Sequence, residues 1–537
     1  MTAVSEPDTP AEPGFVSFLD VAATPWRRLP NFPSYEGAEQ RAGDELVDVM
    51  AGLVADVDPV AIDRTAALPD GLIEDLRAAG FLALRNDAAL GGRAASDYNA
   101  FRVVERASRC SAAIGQLIAV QNGIGVPALL PSLPEGPLRD IVARYVRDGA
   151  VSGCSDTEPG GQNNRWRETV AVPTQDGRAY LLTGSKRFTS NAPVAGPTVV
   201  TAVVKGDGAP DRLGLVFLDL ASAGVTLTAR HDFLGSRGLP NGSVSFDAVR
   251  VPAEQVLAGD APAKAGQPPS VGRLLINAAP ALAIARECRA IAHQFVAERT
   301  MDGRSLGDYE QIQRFLATTM AEIHAMDSVV RWSLLGRDRG FEQALAKNIC
   351  TVAAWEIADR TLSVLGGVGL ETAASKLRRG APALPVEQLL RDARGLRVAG
   401  NVDFMVDVQA GRALLVRHAE RTGPELDWTG PLECSELSPA NREHAARLVA
   451  DLRRLSGTCA RLARTDVETV PGGEQTQRLI GRIAGVLLGE LAVLARNDAA
   501  AAELTDLHCI TAGHRLAGLW HELAAPPRDF GRIIRSR

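Results

Sequence analysis

The sequence predicts an α+β fold, mostly α, in which strands are confined to one central stretch. Apolar residues recur every three or four positions over 41–150 and again beyond residue 258, a spacing typical of amphipathic helices. Over 151–257 the period falls to two, in short runs separated by Asp, Gly and Pro, as in a compact β domain.

The same changes of pattern divide the chain into regions. We expect a Pro-rich N-terminal extension without core elements (1–40), an N-terminal helical domain (41–150), a β domain (151–257), a helical bundle domain (258–422) and a C-terminal helical extension (440–537). Helices are predicted over 273–300, 308–337, 342–366, 386–419, 441–465 and 475–523.

Composition and charge exclude several classes of protein. The 58 Lys and Arg residues against 64 Asp and Glu give a net charge of −6, which disfavours nucleic acid as a partner. The N-terminus lacks the basic start and apolar core of a signal peptide. The longest apolar stretch, Ile483–Ala495, is short for a bilayer span and is expected to be a packed helix. We therefore expect a cytoplasmic protein without a transmembrane segment.

The cysteines indicate reduced thiols. There are seven, scattered along the chain, and none forms a C-x-x-C pair. An odd number without paired spacing argues against a disulfide framework and a zinc knuckle. We expect mostly buried free thiols at residues 110, 154, 288, 350, 434, 459 and 509.

Four motifs follow one another in a recognisable order: TEPGG (157–161), GSKRFTSNAPVAG (184–196), GGVG (366–369) and RDAR (391–394). Over roughly residues 45 to 420 this order resembles the acyl-CoA dehydrogenase superfamily. The resemblance implies a helical domain, a β domain and a four-helix bundle, here with an extra helical C-terminal domain. It also implies FAD between the β domain and the bundle, with an acyl thioester against it.

The resemblance assigns three flavin contacts to the β domain. Thr157 matches the Thr of the TEP motif, which contacts the pyrimidine edge of the ring. Phe188 and Ser190 stand where the family usually has Trp and Thr, as an aromatic wall and a hydroxyl near N5. A plain turn at Thr157 and a plain strand end at Phe188 and Ser190 are the alternatives.

Further cofactor contacts are implied outside the β domain. Arg299 matches the arginine that supports the cofactor's pyrophosphate from a neighbouring subunit, and Gly366 and Gly367 match a glycine pair beside the cofactor. The alternatives are a charge at a helix C-terminus and a helix C-cap. For the matching residues Lys347, Arg391 and Asp392 we favour a structural ion-pair network.

The catalytic carboxylate of the family is missing. Its commonest position falls at Gly400, or at Ala399 if one residue is deleted. A second family position lies early in the first bundle helix, at Gly272, but the run from 261 to 286 contains no acid. The best remaining proton acceptor is Asp156, directly before Thr157, although a turn aspartate is an alternative. Asp403 and Asp407 are weaker candidates.

Several cofactor-contact positions also differ from the family pattern. They are Asp302, Glu310 and Ser363, together with Gln162, Asn163 and Asn164, which replace the residues that follow TEP in the family. A carboxylate near a diphosphate would repel it. These changes motivate the alternative that the scaffold binds no flavin.

The C-terminal region carries a polar cluster without the geometry of a metal site. His508 and His514 are six residues apart and point to different sides of a helix, whereas His514 and His521 share a face. Cys509 and Glu522 lie nearby, but no third ligand stands on that face. We predict partly buried core histidines and no metal.

The resemblance implies an FAD-dependent oxidoreductase that acts on an acyl-CoA or an acyl-carrier-protein thioester, with a relocated base, as a homodimer or homotetramer. A monooxygenase on the same scaffold would need no α-proton base and explains the missing Glu equally well. The third alternative is a flavin-free enzyme or partner subunit.

Overall fold

The computed structural model describes residues 14–20, 29–161, 167–206, 210–258, 270–420, 433–463, 473–526, 528 and 530–535. Helices precede and follow a central group of strands, as the sequence predicts. Packing divides the chain into two compact units. The first comprises residues 1–35, 293–353 and 401–537, and the second comprises residues 36–292 and 354–400.

Short helices make up the chain before the β domain. The helical pattern over 97–120 is divided between two helices at Ser111. The Ser111 hydroxyl accepts a hydrogen bond from Ala113 N (3.3 Å) and thereby caps the start of the second helix. The helices are α1 (Phe15–Asp20), α2 (Gly37–Leu53), α3 (Pro59–Thr65), α4 (Leu72–Ala78), α5 (Asp97–Cys110), α6 (Ala112–Gly123), α7 (Val126–Leu129) and α8 (Pro137–Arg147).

One eight-stranded sheet forms the β domain, and its order is β6-β7-β3-β1-β4-β5-β8, with β2 against β3 and β4. All six runs with a period of two are strands, and β1 and β8 are additional short ones. The strands are β1 (Gly153–Ser155), β2 (Val170–Pro173), β3 (Ala179–Ser190), β4 (Pro197–Val204), β5 (Arg212–Asp219), β6 (Val225–Arg230), β7 (Asn241–Pro252) and β8 (Val256–Ala258).

Alternating side chains of the sheet enter two separate cores. Val199 and Phe217 pack with Leu129 and Val142 of the preceding helices. Their neighbours in β4 and β5, among them Val200, lie in the other core with residues of β3 and β7. Successive side chains of a strand point to opposite faces, so β4 and β5 contribute apolar residues to both cores and are largely buried on both faces.

The later helices differ from the predicted spans at two points. The pattern over 386–419 breaks where Gly400 and Asn401 have φ angles of +65° and +89°. The pattern over 475–523 breaks at Asn497, with φ +42°, and Asp498 caps the next turn. A left-handed residue cannot continue a right-handed helix.

The helical elements after the sheet are α9 (Ser270–Arg273), a π-helical segment (Leu274–Ala278), α10 (Ala279–Glu298), α11 (Glu310–Leu335), α12 (Gly340–Leu365), α13 (Gly367–Leu370), α14 (Ala373–Arg378), α15 (Val386–Leu396), α16 (Asp403–Ala419), α17 (Pro439–Ala463), α18 (Gly473–Arg496), α19 (Ala502–Ala524) and α20 (Phe530–Arg535). A two-stranded hairpin, β9 (Thr300–Met301) and β10 (Arg304–Ser305), separates α10 from α11.

The N-terminal extension contributes to the core of the first unit. Phe15 and Leu19 of α1 are fully buried. Phe15 N donates to Glu342 Oε1 (2.6 Å), and Ser456 Oγ donates to Leu19 O (3.0 Å). The expectation that 1–40 holds no core element is therefore wrong for α1, because a six-residue helix is too short to show a periodic pattern.

Helices α16 and α18 cross with their backbones in contact. A Cβ atom at Gly411 would lie 1.8 Å from Gln477 O, and one at Gly481 would lie 2.0 Å from Asp407 O. Glycine at both positions permits this approach. The C-terminal extension thus packs directly on the last bundle helix within the first unit.

The apolar stretch Ile483–Ala495 lies within α18, where nearly all of it is buried. In the described part of the chain a single stretch, Ala112–Ser132, is long and apolar enough to cross a membrane, and 89% of its apolar window is buried within the protein. Burial of this kind is typical of a core helix.

The cysteines are free thiols, as predicted. Cys288, Cys350, Cys459 and Cys509 are buried, and the other three are half-buried. Burial raises the pKa of Cys288 and Cys459 to about 12. These thiols are inert at neutral pH because the thiolate is the reactive form.

Candidate active site

A buried ion pair fixes the TEP turn against strand β3. Lys186 Nζ lies 2.8 Å from Glu158 Oε1, and neither side chain is more than 1% exposed. Glu158 also accepts hydrogen bonds from the backbone N–H groups of Glu168 (2.7 Å) and Thr169 (2.9 Å). Lys186 Nζ donates in addition to Asp156 O at 3.2 Å. These contacts connect the turn at Glu158 both to strand β3 and to residues 168 and 169.

Burial and the contact between the two side chains shift the pKa values of both Glu158 and Lys186. Burial acts to raise the pKa of Glu158, but hydrogen bonds from Lys186 and from two backbone N–H groups outweigh it and hold the pKa at about 2. Burial lowers the pKa of Lys186, and Glu158 offsets part of this effect. The pair is charged at neutral pH.

The structure brings Thr157, Phe188 and Ser190 together. Arg187 N donates to Thr157 O (2.8 Å), and this contact places Phe188, the next residue after Arg187, close to Thr157. Strand β1 pairs with β3 at Cys154 and Ser190. Three residues from two separate motifs therefore occupy neighbouring strand ends.

Phe188 presents its ring at a strained position. The register of β3 against β7 shifts between Lys186 and Thr189, and Phe188 has a φ of +57°. Its side chain is 50% exposed and lies 5.2 Å from the His231 ring and 5.9 Å from the Phe233 ring, centroid to centroid. Left-handed backbone at an exposed aromatic residue costs free energy and is typical of functional sites.

Two hydroxyl groups beside Phe188 are free to bind a ligand. Thr157 and Ser190 are half-buried, and neither side chain forms a hydrogen bond with a described residue. A hydroxyl is both a donor and an acceptor. An exposed aromatic ring next to two free hydroxyls suits a planar heterocycle with a polar edge.

Asp156 has structural partners. Arg167 Nη2 lies 2.8 Å from Asp156 Oδ1, and Thr201 Oγ1 donates to the same oxygen at 2.6 Å. The carboxylate thus joins the end of β1 to β4.

The glycine pair at the end of α12 combines a helix end with open space. Gly366 has φ +60° and ψ −134°, and its N–H donates to Leu362 O at 2.9 Å. A Cβ atom at Gly366 or Gly367 would meet nothing within 4 Å. The C-cap explains Gly366, whereas the space beside both glycines is available to a ligand. Ser363, one turn earlier, donates to Asp359 O (3.1 Å).

Arg299 lies in the first unit at the end of α10 and is exposed. Its guanidinium is 5.7 Å from the Phe295 ring, and among the described residues it has no carboxylate partner. Asp302 and Gly303 form the tight turn of the adjoining hairpin with φ angles of +52° and +75°, where Asp-Gly is a preferred sequence. Glu310 lies in the first turn of α11, where a carboxylate is favourable.

The residues Gln162, Asn163 and Asn164, which replace the family pattern after TEP, lie outside the described residues.

Arg391 and Asp392 form the expected structural network. The Arg391 guanidinium binds both carboxylate oxygens of Asp63 (3.0 and 2.9 Å) and Glu387 Oε2 (2.9 Å). Asp392 Oδ1 accepts a hydrogen bond from Ser236 N at 2.5 Å. Burial raises the pKa of Asp392 to about 6. The network joins α15 to the end of α3 and to a loop of the β domain.

Both family positions of the base are closed to a larger side chain. A Cβ atom at Gly400 would lie 2.8 Å from Asn277 Nδ2 and 3.8 Å from Arg273 Cγ, and the φ of +65° is itself unfavourable for other residues. A Cβ atom at Gly272 would lie 2.5 Å from Gly123 O. The start of the first bundle helix and residue 400 therefore meet, and neither carries an acid.

The other acids near this loop hold helices together. Asn348 Nδ2 donates to Asp403 O (2.7 Å) and to Asp407 Oδ1 (2.8 Å). Burial raises the pKa of Asp407 to about 6. Lys347 is buried and donates to Asn401 O (2.9 Å). Ala399, the alternative base position, is half-buried.

The C-terminal histidines are only partly in the core. Burial lowers the pKa of His508 to about 3, but His514 and His521 are exposed, so the predicted burial is wrong for these two. Cys509 is buried, and Glu522 accepts a hydrogen bond from Gln475. Within the described ranges no three His, Cys, Asp or Glu side chains are placed to hold a metal ion.

Two residues beside the closed base positions escaped the sequence analysis. Arg273 and Asn277 lie in the run 261–286, which contains no acid. The sequence signal that could have identified this site is the basic residue Arg273 directly after Gly272, a position where the family can have a carboxylate.

Glu158→Gln is expected to lower the free energy of unfolding by about 3–5 kcal/mol, because Lys186 would remain buried without a counter-charge. Urea unfolding at pH 7 measures this. The double variant Glu158→Leu with Lys186→Met removes both charges and should recover most of the loss.

The pH dependence gives a second readout of the same pair. The folded pKa of Glu158, about 2, lies below its ordinary value of 4.5, so its contribution is present above pH 4.5 and is lost as the pH falls toward 2. Glu158→Gln should therefore lose less stability than wild type over that range. A variant as stable as wild type at pH 7 would show that the pair does not hold the turn.

Models of one family match the chain in three parts. The acyl-CoA dehydrogenase N-terminal domain matches residues 41–132, the middle domain residues 154–249 and the C-terminal domain residues 270–420. Together these matches cover more than half of the chain.

Curated relatives carry the same family name. The probable acyl-CoA dehydrogenase FadE10 of Mycobacterium tuberculosis is 30% identical over 418 residues, which are 76% of this chain and 63% of the relative. The very long-chain specific acyl-CoA dehydrogenase of Mus musculus mitochondria is 26% identical, over 68% of this chain and 57% of the relative. The chain thus spans less than two thirds of the length of either.

Solved structures show the same fold. An acyl-CoA dehydrogenase from Bacillus anthracis complexed with FAD aligns with a TM-score of 0.75 and 16% identity, over 98% of this chain and 94% of that chain. Butyryl-CoA dehydrogenase from Megasphaera elsdenii aligns with a TM-score of 0.62 and 20% identity, over 71% of this chain and all of its own. These alignments confirm the predicted fold class, including the extra C-terminal helices, and with the three domain matches they show that the chain belongs to the acyl-CoA dehydrogenase family.

Proposed function

We propose that this chain is an FAD-dependent oxidoreductase that acts on an acyl thioester, carried by CoA or by an acyl-carrier protein, with a proton acceptor at neither residue 272 nor residue 400. The observation that carries the proposal is the surface formed by Thr157, Phe188 and Ser190, with its strained exposed ring and two hydroxyls that have no hydrogen-bond partner among the described residues. The names of the relatives support the substrate class. We propose a cytoplasmic homodimer or homotetramer.

The residues present fit FAD. The hydroxyls of Thr157 and Ser190 would bind the polar edge of the flavin, and the Phe188 ring would exclude water from its surroundings. The open space beside Gly366 and Gly367 leaves room for another part of the cofactor. When bound, FAD supplies the acceptance of two electrons as a hydride.

Arg299 would hold the pyrophosphate. Its guanidinium is exposed and has no carboxylate partner among the described residues, so it is available for a bidentate contact with phosphate oxygens. We propose that this contact is made across the subunit interface. Glu310 and Asp302 have local roles in a helix start and a turn, and these roles account for their carboxylates without a loss of cofactor binding.

Asp156 is the proposed proton acceptor. It directly precedes Thr157 and thus stands at the strand end that carries the proposed flavin contacts. To accept a proton its carboxylate must loosen the contact with Arg167, while Thr201 continues to hold the same oxygen. Until then, the contact with Arg167 holds the carboxylate in place.

The closed base positions favour one second candidate. A monooxygenase needs no α-proton base, and the backbone contact between Gly272 and Gly123 removes one position where such a base would stand. Anaerobic addition of butyryl-CoA to the flavin-replete protein distinguishes the two. Bleaching of the flavin without an added reductase supports the oxidoreductase, and reduction only with a reductase supports the monooxygenase.

The cofactor assignment predicts that Arg299→Ala weakens FAD binding by about 1.5–3 kcal/mol, the range of a hydrogen bond to a charged group. Titration of the apoprotein with FAD, followed by absorbance, measures the dissociation constant. Arg289→Ala is the matched control, because Arg289 is exposed on the same helix. A colourless protein that takes up no FAD would refute the proposed function, and an unchanged affinity in Arg299→Ala would remove that residue from the site.

The base assignment predicts that Asp156→Asn slows thioester-dependent flavin reduction by roughly 10²–10⁴-fold, because the amide keeps the shape and the Thr201 contact but accepts no proton. Stopped-flow absorbance gives the rate. Asp211→Asn, at an exposed surface ion pair, is the control and should react as wild type. Flavin content and thermal melting separate loss of chemistry from loss of fold. A native rate in a folded Asp156→Asn protein would eliminate Asp156.

A further inference from the structure

Arg273 is a half-buried cation without a counter-charge. Its guanidinium forms no hydrogen bond or ion pair with any described residue, and burial alone lowers its pKa. Two other half-buried arginines of the same unit have carboxylate partners: Arg286 lies 3.0 Å from Glu105, and Arg391 lies 2.9 Å from Asp63. A desolvated guanidinium is stable only when an anion compensates it.

The surroundings of Arg273 are also unsatisfied. Asn277, one turn later, is fully buried, and its Oδ1 has no partner among the described residues, while its Nδ2 donates to Arg273 O (3.1 Å). Gln116 is buried as well; its Nε2 donates to Ile276 O (3.3 Å), and its Oε1 has no partner in the described chain. Buried polar atoms of a native protein normally have partners, and these two oxygens are acceptors, so they require a donor that the described residues do not supply.

Backbone geometry marks the same place. Arg273 immediately precedes the π-helical segment Leu274–Ala278, and π-helical turns occur frequently at functional sites. Its Cγ lies 3.8 Å from the Cβ position of residue 400. Arg273 therefore directly follows one family position of the base and lies beside the other, so it brings a positive charge next to places where the family has a carboxylate.

We propose that Arg273 binds a carboxylate on the acyl group of the substrate, so that the chain recognises the monothioester of a dicarboxylic acid. The inference rests on the proposed function, and it takes the acyl group of the thioester to lie beside residue 400, where the family has its base. A guanidinium binds a carboxylate through two parallel hydrogen bonds. The bound carboxylate supplies the counter-charge that the described chain does not. Asn277 and Gln116 act as positioning residues, since they fix the helix turn from which Arg273 extends.

The test compares two thioesters of equal length, succinyl-CoA and butyryl-CoA, which differ by a carboxylate in place of a methyl group. Calorimetry on the oxidised holoenzyme gives both dissociation constants, and flavin absorbance is recorded separately. We expect wild type to bind succinyl-CoA roughly ten- to a hundredfold more tightly, as for one charge-assisted contact. Arg273→Leu should lose this preference and keep its affinity for butyryl-CoA.

Matched variants keep the test decisive. Arg273→Lys should retain part of the preference for succinyl-CoA, because lysine keeps the positive charge but lacks the two parallel N–H donors of a guanidinium. Arg289→Leu should behave as wild type. Bound flavin with equal affinity for both thioesters, or a preference that survives Arg273→Leu, overturns the inference and leaves the proposed function intact. A protein that binds neither flavin nor either thioester overturns both.

Discussion

The buried Glu158–Lys186 ion pair is the constraint on which the candidate site depends. It joins the turn after β1 to the middle of β3, and both segments carry residues that face the proposed ligand. With this connection in place, the Thr157 carbonyl accepts from Arg187, and the bulge that follows turns the Phe188 ring outward. The desolvation of two charges is compensated by direct contact and by backbone N–H groups, so the pair is favourable only while all of its partners are present. That interdependence makes the turn rigid.

Glycine contacts explain why the reacting centre has changed while the scaffold has not. At Gly272 and Gly123 two backbones touch, and at Gly400 the chain adopts a left-handed conformation against Asn277. Such contacts exclude the carboxylate at two places where the family puts it. The neighbouring Arg273 supplies a positive charge instead, in surroundings that contain two unsatisfied amide oxygens. The protein thus combines a surface suited to a flavin with a positively charged residue, Arg273, beside the positions where the family has a negatively charged base.

Much of this fold follows from local sequence, and much of the site does not. The strand predictions are correct because short runs rich in β-branched and apolar residues are bounded by Asp, Gly and Pro turns. The helix over 386–419 is wrong because Asn401 adopts a positive φ, which no apolar spacing reveals. Thr157, Phe188 and Ser190 could be singled out only because their motifs resemble those of the family. The sequence does not reveal that Arg273 lacks a carboxylate partner among the described residues, because this depends on the positions of acids that are distant along the chain.

The most direct test of the account is the rate at which butyryl-CoA bleaches the flavin of Gly400→Glu relative to wild type, under anaerobic conditions. The account predicts no gain. The new side chain would have to adopt an unfavourable φ, displace Asn277 Nδ2 from 2.8 Å and lie beside the Arg273 guanidinium, which would hold it as an ion pair. An increase of roughly a hundredfold or more, the contribution of a working general base, would contradict the account and show that position 400 lacks only its carboxylate.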